Sequence, residues 1–243
     1  GGMLAGQLGN LIVLTLSIYI ARRWVDKRSF ASLGLKLDKK MWGDLIAGIA
    51  ITFLMMGFIF LVEWALGWIT FEGFAWQTES ASSVTLNLLG ILVAFTLVGW
   101  NEELLSRGYQ LQNLADGLNL VWGVIISSAI FGLLHLGNPN ATWLSAAGIF
   151  LAGLFLAYGY TTTRQLWLPI GLHIGWNFFE GVIFGFLVSG LDLYRLTHIS
   201  VNGPEFWTGG AFGPEAGLIL IPALALGVGL IYVYTIKENT IIS

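Results

Sequence analysis

Residues 80–107 read SASSVTLNLLGILVAFTLVGWNEELLSR, an uncharged run from Ser80 to Asn101 that ends on Glu102, Glu103 and Arg107. A membrane-crossing helix needs roughly 20 consecutive apolar residues, and this run is long enough. Working outward, the pattern recurs at Leu4 to Ala21, Leu45 to Val62, Gly117 to Thr163 (interrupted only by His135) and Ala216 to Ile236. The whole chain is 56% hydrophobic and 10% charged, against about 25% charged in a typical soluble domain. No ordinary globular core hides so much apolar surface. The sequence therefore predicts an all-α fold, a polytopic transmembrane helix bundle of about seven spans, with six to eight as the range.

The spans are expected near residues 4–21, 43–66, 84–100 with a helical extension to about 114, 120–136, 142–160, 167–189 and 216–236. Gly137, Asn138, Pro139 and Asn140 form a turn cluster between the fourth and fifth, and Asp116, Gly117 and Asn119 do the same before the fourth. At 243 residues the chain is expected to form a single integral membrane domain over 1–243, with its chemistry in a core of about 84–180. Cysteine is absent, which excludes disulfides, thiolate metal sites and a cysteine nucleophile. The first apolar segment is followed, not preceded, by Arg22, Arg23, Lys27 and Arg28, so it reads as a retained anchor and not a signal peptide.

Basic residues favour the cytoplasmic side of a membrane. Seven of the eleven Lys and Arg crowd into Arg22 to Lys40. Placing that stretch inside puts the N-terminus outside and the C-terminus in the cytoplasm, with Arg107, Arg164 and Lys237 on inner connections. Segments 67–83 and 190–215, carrying Glu72, Glu79, Asp192, Glu205 and Glu215, then fall outside. The compact length points to a prokaryotic cell membrane. The expected partners are the lipid bilayer and a membrane-associated peptide or protein; a net charge of -3 gives no sign of nucleic acid. Trp42, Trp68, Trp100, Trp143 and Trp167 sit near span ends, where anchoring or packing explains them.

Ionisable groups inside apolar helices are costly and by default mark function or an obligatory internal pair. On an α-helix Glu103 and Arg107 share one face at i and i+4 and can pair, whereas Glu102 points about 100° away. One carboxylate is neutralised and the other, Glu102, is free to act as a general base. A buried ion-pair knot of all three groups, or a cytoplasmic loop with solvated charges, is the competing reading. His135 shares a helical face with Phe131, and alone it reads more readily as a hydrogen-bonded core histidine than as a catalyst. His173 and Asn177 project side by side, the amide suited to a developing oxyanion. Pro169 is expected to loosen the helix below His173 by removing a backbone donor. Glu180 has the spacing to face the same cavity or to sit at a polar turn; His198 reads as solvent-facing.

These three patterns, Glu102-Glu103-x3-Arg107, Phe131-x3-His135 and His173-x3-Asn177, fall in that order on three apolar segments. In this the chain resembles the CAAX protease and bacteriocin-processing (Abi) family of membrane proteins, which includes the type II prenyl endopeptidases. The resemblance covers about residues 84–180; outside it only Ser32-Leu33-Gly34-Leu35 leading into Trp42-Gly43-Asp44 is similar. It implies an intramembrane endopeptidase in which Glu102 and His135 activate a water while His173 and Asn177 stabilise the oxyanion, with Glu103 and Arg107 in support. A prenylated CAAX peptide, a bacteriocin leader and a membrane-bound regulator are all compatible substrates. No cofactor is favoured. Zinc is the alternative, and would draw on Glu102, His135 and His173. A transporter relaying protons through the same groups, or a non-catalytic immunity or scaffold protein, would use the cavity without cleavage.

Simple alternation of spans would leave Glu102 and His135 roughly 20 Å apart, at opposite ends of neighbouring helices. A shared site requires either that the helix carrying Glu102 runs on to about Leu114 or that one connection is re-entrant.

Overall fold

A computed structural model describes the backbone of residues 2–242 and the side chains of 2–236, so Lys237 lies outside the residues whose side chains are described. The chain is an all-α bundle with one small ribbon. In order, the helices are α1 (Gly2–Ile20), α2 (Lys39–Ala65), α3 (Ala81–Glu103), α4 (Leu111–Gly117), α5 (Leu120–Leu134), α6 (Trp143–Thr163), α7 (Trp167–Asn177), the single turn α8 (Glu205–Thr208) and α9 (Leu220–Ile242). Five helical rods, at 2–25, 39–65, 81–117, 120–137 and 143–163, are long and apolar enough to cross a membrane. All seven expected spans are helical. The sixth is shorter than expected, however: helix continues from α7 only to Ile183, and the chain turns at Gly185, whose φ is +81°.

The helix starts follow from local chemistry. Asp38, Ser80, Asn119 and Thr142 stand just ahead of α2, α3, α5 and α6, and each side chain accepts a hydrogen bond from the backbone N–H three residues on. Such caps satisfy donors that the first turn leaves open. Pro169 departs from expectation. It is the third residue of α7, where a helix has no internal partner for the missing N–H, so it loosens nothing.

The separation of Glu102 from His135 is resolved by the length of one rod. After Glu103 the chain does not stop but continues through a π-helical segment, Leu104–Gln110, into α4. It reverses at Leu118 and Asn119, and α5 returns antiparallel. Glu102 precedes the end of α4 by as many residues as His135 follows the start of α5, so the two stand level. The helix therefore runs on even further than Leu114, and no re-entrant connection is needed. Arg107, expected on an inner connection, is instead buried inside this rod.

The basic stretch packs at the far end of the same rod, where Arg28 pairs with Asp116 and the Trp167 indole N–H donates to Lys36 O at 2.7 Å. At the opposite end, the two segments expected on the outer side meet. β1 (Ile69–Phe74) and β2 (Thr197–Val201) form an antiparallel ribbon with Ile69 opposite Val201 and a bulge between Phe71 and Gly73. His198 is exposed there, as expected.

α2 crosses α7 at glycines. A Cβ on Gly48 would meet Leu172 N at 2.5 Å and Leu168 O at 2.6 Å, both backbone atoms that cannot swing aside. Close backbone approach through small residues is how helices pack where lipid leaves no hydrophobic drive between them. This crossing fixes the height and rotation of α7, and with it His173 and Asn177. Gly48→Ala should lower stability by about 1–3 kcal/mol and reduce activity along with it, read by thermal unfolding in detergent. An unchanged unfolding temperature would show that the crossing tolerates a methyl group.

Candidate active site

Glu103 is fully buried and organises the back of the site. Its Oε1 accepts from Arg107 Nη1 at 2.9 Å and from His173 Nδ1 at 2.7 Å. Arg107, also buried, donates through Nη2 to Gly153 O at 2.9 Å and lies over the Phe131 ring at 4.3 Å. The i, i+4 pairing read from sequence is therefore present, although the backbone beyond Glu103 is π-helical. Phe131 has more to do than share a face with His135. Its carbonyl bonds His135 Nδ1 at 2.8 Å, its ring centroid lies 4.7 Å from that imidazole, and the His173 ring meets it edge-on at 6.1 Å.

Both imidazoles thus use Nδ1 for anchorage and turn Nε2 forward. Glu102, whose side chain is 34% exposed, points Oε2 between them, 4.0 Å from His135 Nε2 and 3.7 Å from His173 Nε2. These separations exceed a direct hydrogen bond, and Glu102 Oε2 receives no hydrogen bond from the described residues. Glu102, His135, His173 and Asn177 all line one cavity of about 350 Å³. The structure therefore brings together all four residues singled out from sequence, with Glu103 and Arg107 packed behind them. Its other walls are largely apolar, among them Phe95, Val98, Leu105, Leu134, Ile149 and Phe155.

Two residues lie where sequence reasoning did not put them. Glu180 is fully buried but is not among the side chains lining the cavity. The chain is π-helical from Phe178, and a π turn advances about 80° per residue in place of 100°, which swings Glu180 off the face shared by His173 and Asn177. Glu215, expected in an outer loop, is instead buried and lines the cavity; its Oε2 accepts from the backbone N–H and the hydroxyl of Ser189 at 2.6 and 2.7 Å. Its only sequence signal was a lone acid directly before an apolar run. Two of the three helices that carry the motifs, α3 and α7, pass into π-helical turns immediately after their site residues, as helices often do at functional positions.

Zinc in a four-coordinate site takes imidazole nitrogen and carboxylate oxygen at about 2.0–2.2 Å, which sets neighbouring ligand atoms about 3.3 Å apart. The Glu102 to imidazole separations are wider. Among the described residues no group of three or more His, Asp or Glu is arranged to hold a metal ion.

The fold and site define a polytopic helical membrane protein with a carboxylate and imidazole centre inside the bundle. Residues 84–179, the stretch that carries the three motifs, are similar to the family model described as type II CAAX prenyl endopeptidase Rce1-like. The chain is also 27% identical over 169 residues to the uncharacterized protein YyaK of Bacillus subtilis (strain 168), a stretch covering 67% of this chain and 54% of the relative. The chain spans about half the length of that curated relative. No solved structure matches it.

Proposed function

We propose that the protein is an intramembrane endopeptidase that hydrolyses a peptide bond of a membrane-associated polypeptide, including prenylated CAAX-type substrates, by attack of a water activated at Glu102 and His135. The observation that carries this reading is the convergence of Glu102 Oε2 with two imidazole Nε2 atoms at 3.7 and 4.0 Å on an apolar cavity. A water oxygen about 3 Å from each would be held by all three groups.

Hydrogen bonding supports distinct roles for the two imidazoles. A carbonyl oxygen only accepts, so His135 Nδ1 carries the proton shared with Phe131 O, and the neutral ring presents a lone pair at Nε2. Glu102 and His135 are then two acceptors for the two hydrogens of one water. His173 is anchored through Nδ1 on the Glu103 carboxylate at 2.7 Å, and in this reading it offers Nε2–H to the oxyanion beside the Asn177 amide.

The direct test is cleavage of quenched peptides by the purified protein in liposomes, using one sequence with and without an isoprenoid thioether on its cysteine. Asn177→Ala should lower turnover about a hundred- to a thousandfold with KM nearly preserved. Chelators should leave the rate unchanged; loss of activity on chelation with recovery on adding zinc would replace this mechanism with a metal-dependent one.

A further inference from the structure

Hydrolysis of an amide needs a proton on the departing nitrogen as well as a base for the water, and the cavity holds a second carboxyl. Glu215 sits on the short turn Pro214–Ala216 ahead of α9, only 4% exposed. The turn is locked in place. The Glu215 carbonyl abuts α6 so closely that a Cβ on Gly148 would collide with it. Gly190 N donates to Phe212 O at 2.7 Å, and Asn138 Nδ2 donates to Ser189 O at 3.0 Å. The loops after α5, after α7 and before α9 are thereby laced into one wall, and Ser189 holds its place in it with a left-handed φ of +47°.

The hydrogen bonding around Glu215 is one-sided. Oε2 accepts from both the N–H and the O–H of Ser189, so a proton on this carboxyl has only Oε1 to occupy. The charged and titratable groups facing it are His135 and His173 across the cavity and Glu180, fully buried on the segment after α7. Two carboxyls buried within reach of each other's charge do not both ionise. Burial raises the Glu215 carboxyl above the ordinary range, against the opposing pull of the Ser189 bonds and of His135 and His173.

We propose that Glu215 is a further catalytic residue of this site, a general acid whose Oε1 proton passes to the leaving amine while Glu102 takes a proton from the attacking water. The inference rests on the endopeptidase reading. The water oxygen bonds to the carbonyl carbon and its proton goes to Glu102; the C–N bond breaks and the amine nitrogen takes the proton of Glu215. Glu102 then holds one proton more and Glu215 one fewer, and transfer through cavity water restores both. The arrangement divides acid and base between two carboxyls in different surroundings.

The test uses Glu215→Gln, whose amide oxygen still accepts from Ser189 and whose NH2 group replaces the acid without a transferable proton. Two substrates of one acyl sequence are compared, a peptide amide and a 4-nitrophenyl ester, whose leaving group departs unprotonated. Amide turnover should fall by about a hundredfold or more with KM little changed, and ester turnover by less than about threefold. Equal losses on both substrates, or no loss on either, would overturn the proposal. Glu215→Asp, which keeps the acid but sets it back, should show the same split in smaller degree, and its absence counts against the proposal if the Gln variant does not fold. If the wild type cleaves neither substrate, the endopeptidase reading fails and takes this inference with it; if it cleaves both and the variant shows no split, only the inference fails.

Discussion

Glu102→Gln is expected to fold as the wild type does and to lose turnover by about a hundred- to ten-thousandfold, the range for removing a general base. The reason is positional. Glu102 is the one carboxylate of the motif turned to the cavity, with its side chain 34% exposed and Oε2 free of hydrogen bonds from the described residues. Its replacement by an amide therefore breaks no internal bond, and unfolding in detergent should be unchanged. A Gln side chain also offers no basic oxygen to a water, so residual rate would come only from His135 and the oxyanion donors. Peptide cleavage at the wild-type rate by this variant would remove Glu102 from the mechanism. Undiminished solute or proton flux in liposomes without any cleavage by the wild type would move the whole site to the transporter reading.

That Glu102 and not Glu103 turns toward the cavity was legible because it rests on helical periodicity alone, which a π-helical turn one residue further on does not disturb. The same holds for Phe131 with His135 and for His173 with Asn177, each pair confined to one helix. What was not legible depends on where rods end and how loops fold back. Residues 106–117 are too polar to read as membrane span, with Arg107, Gln110, Gln112, Asn113 and Asp116 among them. They nonetheless continue the helix because Arg107 is neutralised internally by Glu103 and Gln112 bonds Leu33 O at 2.9 Å. Composition registers the polarity but not these partners. β1 and β2 lie more than a hundred residues apart in the chain, and no local pattern announces their pairing. Glu215 escaped for a similar reason: its burial is created by Ser189 and Gly148, both distant in sequence.

Glu103→Gln should destabilise the fold by about 3–5 kcal/mol, the cost of stranding one member of a buried ion pair. Arg107 would keep its bond to Gly153 O but lose its only carboxylate at hydrogen-bond distance among the described residues. Activity should fall as well, because His173 loses the carboxylate that orients its ring. The two effects are separable by a double substitution. Glu103→Gln with Arg107→Met removes the stranded charge, and exchanging a buried ion pair for uncharged groups of similar volume is often neutral. The double variant should therefore regain most of the lost unfolding temperature while its turnover stays low, since nothing restores an anion beside His173 Nδ1. Recovery of stability and rate together would mean that Glu103 serves only to neutralise Arg107. If stability does not recover, the bond from His173 to Glu103, and not the ion pair, is what ties α7 to α3.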